Sequence, residues 1–422
     1  MNNRSLLISL LILGLVSVGL FSRNGIIILM SIPLLVYLGV GLILLPRDIN
    51  INFYREISTN RVTPKTPVLM KLRVHNLCSV ELMINICEKI PLKIQIIGGC
   101  TNQQISLPAN EEFEMQYTFQ APRGHYSWEE IEIFVSDPLR LFEKKLNLSA
   151  VNHIYVLPEY AKIKRIILHP RSTIHTPGPN LSNQPGSGID FWGIREYLPG
   201  DSLRLIDWQK SARIAQNFFV KEYEREEMTD IGLILDGRSI TDYSICEHKI
   251  LEYSIQATAA LSKHFTKCGN RLSMLILSQH MIKVFPGYGK RQLVRILDQL
   301  SFCQSGTKVT VDTLKYLPTR LFPSHSVIIL VSPLHAKDLS SLKRLKADGY
   351  QIVVLSPDYI KFTEKYSSPG KTQILAMRVA KIERALLFWK IRQLGVEIKN
   401  WDIDTPIDIN LNLRRTDHSR GA

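Results

Sequence analysis

Signatures of catalysis are what this sequence lacks. It has no G-x-x-x-x-G-K-[ST] phosphate loop, no H-E-x-x-H zinc helix and no G-x-S-x-G nucleophile elbow. Its six cysteines, Cys78, Cys87, Cys100, Cys246, Cys268 and Cys303, make no C-x-x-C pair, and no Cys/His run has zinc spacing. They read as reduced, partly buried small hydrophobes, which suits the cytosol. The eleven histidines are scattered. Basic residues never form a block of five or more, so the net charge of +14 is spread along the chain. A spread surplus suits an acidic partner or the anionic inner face of a membrane. Nucleic-acid binding needs clustered basic residues with aromatics to stack on, and that pattern is missing. These absences leave no motif for a cofactor, a zinc site or a nucleophile elbow, and no nucleic acid is expected as a partner.

Long apolar runs, in contrast, are present. Residues 6–21 and 26–45 carry no charge, and Ser22-Arg-Asn-Gly25 forms a polar turn between them. A helix of 20 apolar residues covers about 30 Å of hydrocarbon, so residues 1–50 read as a transmembrane helical hairpin. Pro33 is expected to kink the second helix. A cleaved signal peptide is the rival, but a second apolar run follows the first at once. Arg4 and the terminal amine flank one end, Arg47 and Arg55 the other, and only Arg23 lies in the turn. The positive-inside bias therefore places the termini and the main domains in the cytoplasm, on a multi-pass inner-membrane protein.

At 422 residues the chain exceeds one ordinary domain. Residues 51–160 alternate in short runs, at 68–75, 82–87, 92–97, 112–119, 131–135 and 153–157. Turn signals separate them: Gly98-Gly99, Pro108-Ala-Asn110, Ala121-Pro-Arg-Gly124 and Asp137-Pro138. This reads as an all-β, sandwich-like domain. Residues 161–185, with Thr176-Pro-Gly-Pro179, read as linker or exposed loop.

From 229 to 412 strands and helices alternate. Apolar runs at 231–236, 271–277, 326–331, 351–355 and 396–401 read as strands, with 280–285 as a further edge strand. Helices are expected at 249–267, 290–300, 336–348 and 373–394. On the last, Leu375, Val379, Ile382, Leu386 and Trp389 form one stripe. Residues 371–399 hold seven basic and two acidic residues, a charge that suits anionic lipid if the helix faces a bilayer. The pattern is that of a doubly wound α/β sheet, whose sites lie beyond the carboxyl ends of strands. Asp236 is the first such position. Residues 413–422 form a tail.

Between the two domains, residues 186–213 hold four glycines, two tryptophans, three arginines and four acidic residues. Pro199-Gly200 presets a turn, and 203–214 reads as a short helix. Arg195, Glu196, Asp201, Arg204 and Asp207 are spaced for a charge-paired network, with Phe191, Trp192, Tyr197 and Trp208 as apolar bulk and Arg213 beyond. The stretch is either a hydrogen-bonded joint or a docking surface rich in the aromatics and arginines of interfaces.

The pattern Gly186-x-Gly188, Phe191, Gly193, Arg195-Glu-Tyr197, Pro199-Gly-Asp201, Arg204, Ile206, Trp208 and Ala212-Arg213 resembles the hallmark of the domain-of-unknown-function 58 family. Arg123-Gly-x-Tyr126 and Asp137-Pro-Leu-x-Leu-Phe142 resemble its β-domain. The resemblance implies a von Willebrand factor A-like α/β domain and a MoxR-type AAA+ ATPase partner. It carries over no catalytic residue. Such domains often hold Mg²⁺ through Asp-x-Ser-x-Ser and an Asp after a later strand. Here the loop reads Asp236-Gly-Arg238-Ser239-Ile240, with Ser239 out of register, and Ser332-Pro333 follows the later strand. The resemblance therefore implies a degenerate ion-site loop and a membrane-anchored, non-enzymatic adaptor or scaffold in cell-envelope or complex-assembly work. Two alternatives stay open: a receptor gripping an acidic protein ligand, and a membrane-associated hydrolase using the central carboxylates.

Overall fold

The computed structural model describes residues 3–46, 49–168, 180–214, 217–227, 230–245, 248–306, 319–324, 326–366 and 371–411. Arg47, the Thr176–Pro179 loop, Cys246 and the 413–422 tail lie outside them, as do the side chains of residues 180–190. The chain divides into two compact units, Met1–Leu157 and Pro158–Ala422.

The first unit begins with helices α1 (Asn3–Phe21), α2 (Gly25–Leu29) and α3 (Ile32–Leu44). The Asn24 side chain caps α2 by accepting from the Ile26 amide at 3.1 Å. The second apolar run is not one bent rod. It breaks at Met30–Ser31, because Pro33 has no N–H to offer the preceding turn. Arg4–Phe21 and Gly25–Leu44 are each long and apolar enough to cross a membrane, and most of both is exposed, unlike a core helix. They make this a membrane-associated chain.

Nine strands follow: β1 (Ile51–Ile57), β2 (Arg61–Val62), β3 (Val68–Asn76), β4 (Leu82–Cys87), β5 (Gln95–Gly99), β6 (Asn102–Leu107), β7 (Glu112–Gln120), β8 (Gly124–Ser136) and β9 (Glu143–Val156). They form two sheets, ordered β1-β3-β7-β5 and β2-β9-β8-β4-β6. Because alternate residues share a face, β3 points Met70, Leu72 and Val74 inward, where they meet Ile84, Ile86, Ile131 and Ile133 in one core. Gly98-Gly99 does not turn the chain but ends β5 at a bulge. A Cβ on Gly99 would stand only 2.4 Å from the Gln116 carbonyl oxygen. The two β-domain motifs have local causes. The Tyr126 hydroxyl donates to the Pro122 carbonyl at 2.9 Å. Asp137 accepts from the amides of Leu139, Leu141 and Phe142 at 2.9, 2.8 and 2.7 Å, closing the β8–β9 loop.

The second unit contains β10 (Ile163–Leu168), β11 (Asn180–Glu196), α4 (Trp208–Ile214), β12 (Phe219–Glu227), β13 (Asp230–Asp236), the small hairpin β14 (Ser244–Ile245) and β15 (His248–Lys249), and α5 (Ile250–Lys267). Then come β16 (Arg271–Leu277), β17 (Met281–Gly287), α6 (Gly289–Phe302), β18 (Val327–Val331), α7 (Asp338–Ala347), β19 (Gln351–Pro357), α8 (Tyr359–Tyr366), α9 (Lys371–Gln393), β20 (Glu397–Trp401) and β21 (Ile407–Leu411). The main sheet runs β17-β16-β13-β18-β19-β20, parallel except for the edge strand β17. Ile234, Ile328, Leu330, Ile352 and Val354 pack under α7 and α9 through Leu342, Leu345, Phe388 and Ile391. The intervening Leu233, Leu235, Ile329, Val331 and Val353 are equally buried and point to the opposite face, so the sheet is covered on both sides.

Two expectations are corrected here. Residues 163–168 are not linker but strand β10, paired in parallel with β21 at the far end of the chain. Helix α8 lies where no helix was expected. The apolar stripe of α9 faces outward, with Leu375, Val379, Ile382, Leu386 and Trp389 all exposed, while Arg384, Phe388 and Ile391 form the buried side.

Candidate functional site

Two places gather chemistry-bearing residues. The first lies beyond the carboxyl ends of β13 and β18, where the chain's strand order reverses between neighbours. Asp236 ends β13, Arg238 follows it, Ser332 follows β18, and Asp338 opens α7. All four are buried. Arg238 Nε donates to Asp236 Oδ1 at 2.7 Å and its Nη2 to Asp236 Oδ2 at 2.6 Å. Nη1 and Nη2 also donate to Asp338 Oδ1 and Oδ2, each at 3.0 Å. The guanidinium thus forks between two carboxylates, a geometry that its planar donors match and a lysine cannot.

Neighbouring groups complete the cluster. The Ser332 hydroxyl donates to Asp236 Oδ2 at 2.6 Å, and the His335 amide to Asp338 Oδ2 at 2.9 Å. Burial raises the Asp338 pKa, and the Arg238 charge offsets part of the rise. Burial also works against charge on Arg238, but hydrogen bonds and attraction from Asp236 and Asp338 more than reverse that and hold its pKa raised. The place between the carboxylates is filled by this chain's own guanidinium. A divalent ion does not fit there beside it. Ser239 stands outside the cluster and is exposed, its amide donating to the Gly306 carbonyl at 2.9 Å. Asp338 and the serine's role escape sequence reasoning. The signal for Asp338 was an acid at the start of a helix after a buried strand, a position usually explained as capping.

The second place is the β11–β12 hairpin and its turn. Arg195 donates through Nη1 and Nη2 to Asp201 Oδ2 and Oδ1, both at 2.7 Å, and through Nε to Glu222 Oε1 at 2.7 Å. Asp201 also accepts from the Leu198 amide at 2.8 Å, which closes the Pro199-Gly200 turn. The Arg195 hydrogen bonds hold the Asp201 pKa down to about 2. The same partners push Arg195 up.

The other named residues divide. Asp207 instead caps α4, its Oδ1 accepting from Gln209 and Lys210 amides at 3.1 Å each. Glu196 accepts from Asn217 Nδ2 at 3.1 Å, and the Tyr197 amide donates to the Phe218 carbonyl at 2.8 Å. Arg204 and Arg213 are exposed and do not join the network, a correction to the expected charge cluster. Glu222 joins it from β12, 27 positions from Arg195. The aromatic bulk is not buried. Trp208 is 63% exposed and Phe218 57%, ring edge to ring face at 6.2 Å, and Phe191, Leu198 and Leu203 are exposed as well.

Residues 193–358 match the family described as "Protein of unknown function DUF58". "Uncharacterized protein YeaD" of Bacillus subtilis (strain 168) is 26% identical over 117 residues, 28% of this chain and 29% of that protein. "Uncharacterized protein Rv1480" of Mycobacterium tuberculosis is 26% identical over 148 residues, 33% of this chain and 46% of that protein. The chain thus spans less than half the length of these relatives. Among solved structures, proximal thread matrix protein 1 from the mussel byssus aligns with TM-score 0.24 and 18% identity, over 31% of this chain and 37% of that one. A likeness of that size carries no argument about fold. Arg195, Asp201 and Glu222, like the Asp236–Arg238–Asp338 cluster, fall within residues 193–358, the stretch over which this chain is similar to the DUF58 family.

Proposed function

We propose that this chain is a membrane-anchored, non-enzymatic scaffold that docks a partner protein through the hallmark hairpin, and that the partner is an AAA+ ATPase of the MoxR type. The observation that carries this reading is the exposure of Trp208, Phe218, Leu203, Leu198 and Phe191 on a hairpin whose turn is locked by Arg195. Aromatic side chains on a pre-ordered backbone are the usual anchors of an interface, since little entropy is lost on binding. The two N-terminal spans would hold that surface at the cytoplasmic face of the inner membrane.

The α/β unit is read as von Willebrand factor A-like, with Arg238 as a built-in cation. Its sheet order, its single antiparallel edge strand and the acid ending β13 support this. The receptor alternative is weaker, because Arg238 is buried and already shared between Asp236 and Asp338. The hydrolase alternative is weaker too, because an acid held near pKa 2 such as Asp201 is a poor proton donor or acceptor at neutral pH.

The test is binding of the detergent-solubilised full chain to a purified MoxR-type ATPase. Trp208→Ala and Phe218→Ala are expected to weaken binding more than about tenfold without lowering the melting temperature. Equal affinity for wild type and both variants removes the hairpin from the interface, and no binding by wild type removes the ATPase.

A further inference from the structure

The outer face of α9 is left apolar by the fold. Leu375, Val379, Ile382, Leu386 and Trp389 recur at spacings of four and three, which places them in one line along the helix. All are more than half exposed: Leu375 is 61%, Ile382 62% and Trp389 57%. The opposite side is already spent on the unit's own core through Phe388 and Ile391. The stripe is about 20 Å long at 1.5 Å per residue.

Its surroundings are basic. Arg378 and Lys390 flank the stripe on its two sides by helical spacing, and Lys381 and Arg392 lie further round. Glu383 is the one acid on the helix, and Lys381 is paired with Glu364 on α8 at 2.6 Å. On the Lys390 side of the stripe, an open groove of about 600 Å³ separates α7 from α9, lined by Lys337, Lys343, Lys390, Ser340, Leu339 and Leu394. Among the described residues none of these three lysines has a carboxylate partner.

We propose that this face docks on an anionic phospholipid surface. The stripe enters the headgroup–acyl boundary with Trp389 at the interface, and Lys337, Lys343 and Lys390 take lipid phosphates in the groove. Apolar area flanked by Lys and Arg is the chemistry of helices that lie on membranes. The same chain carries two spans able to enter the bilayer, so the surface meets lipid at high effective concentration. A second copy of the chain is disfavoured as the occupant, because pairing two such stripes brings like charges on their flanks together.

The test uses the full chain in nanodiscs of phosphatidylcholine alone, or of phosphatidylcholine with phosphatidylglycerol, each with brominated acyl chains. Subtracting the emission of Trp389→Phe from that of wild type isolates Trp389, and this conservative change sits at an exposed position. In anionic discs the Trp389 emission is expected to shift to shorter wavelength and to lose most of its intensity to bromine. Neutralising Lys337, Lys343 and Lys390 with Gln should restore it, each change lowering the docked-to-free ratio about fivefold. Unquenched Trp389 in anionic discs overturns the proposal. So does equal quenching in discs of phosphatidylcholine alone. A blue shift that ignores bromine but needs two copies per disc assigns the face to self-association and overturns it as well.

Discussion

Removing the Arg238 guanidinium tests the buried cluster directly. Arg238→Ala deletes four side-chain hydrogen bonds to Asp236 and Asp338 and leaves two carboxylates facing each other. Asp236 and Asp338 are each only 3% exposed, so water cannot replace the lost charge. Breaking a buried ion pair from one side costs about 3–5 kcal/mol. A unit of this size loses roughly 2–4 °C per kcal/mol, so the α/β transition should fall by roughly 6–20 °C. Near-ultraviolet circular dichroism of the full chain in detergent reads it.

The penalty has a predictable pH dependence. Burial already raises Asp338, and without Arg238 it rises further. A carboxyl raised in the folded state is cheapest when protonated, so the loss should be largest at neutral pH and shrink as pH falls toward the ordinary carboxylate range. Arg238→Lys should be intermediate, because an ammonium cannot fork. Asp236→Asn/Arg238→Met/Asp338→Asn should recover most of the stability, since neutral replacement of a whole buried cluster is often tolerated. Millimolar Mg²⁺ should stabilise Arg238→Ala and leave wild type unmoved, because only the variant offers free oxygens. A loss below about 1 kcal/mol would mean that the cluster behaves as a solvated surface pair, and the reasoning would fail.

Other outcomes follow from the same geometry. Asp201, held down to about 2 by Arg195, stabilises the hairpin at pH values above the ordinary carboxylate pKa. That contribution should fade as pH falls through about 2, and a carboxyl-carbon titration with an ordinary midpoint for Asp201 would contradict it. In the first unit, Arg55 and Glu88 pair at 2.9 Å with both side chains fully buried, and Arg55 also donates to the Ala150 carbonyl. Arg55→Leu should cost about 3–5 kcal/mol at neutral pH, read by urea denaturation. The cost should shrink in acid, because burial already pushes the Glu88 pKa up; a pH-independent cost would be the contrary result. Gly232→Ala should destabilise the α/β unit, since its Cβ would stand 2.3 Å from the Phe322 ring. The double variant with Phe322→Leu should regain stability, and unchanged melting of the single variant would show that the ring moves aside.

Much of the β-unit is legible locally. Val68–Asn76 alternates because one face of β3 is core, and Leu82–Cys87 does so for the same reason. The long β8–β9 hairpin is less legible, since its outer parts carry mixed residues on an exposed face. Asp236 was identifiable from its place after a buried apolar run. Arg238 was identifiable as a charge two positions after Asp236, but its second partner was not. Asp338 lies 100 positions away, in a helix start whose acid has an ordinary local explanation.

By itself the sequence determined whatever depends on neighbours within a few residues. That includes the two membrane-length runs, the break at Pro33, the period of each buried strand and helix, and the Pro199-Gly200 turn. Tertiary structure alone decided which partners meet across the fold. It joined β10 to β21, drew Glu222 onto Arg195, and set Arg238 between Asp236 and Asp338. It also chose which face of α9 is buried. A helix with apolar residues on one side and Phe388 and Ile391 on the other offers two faces to a core. Only the packing of the sheet settles which one is taken, and so which one stays exposed.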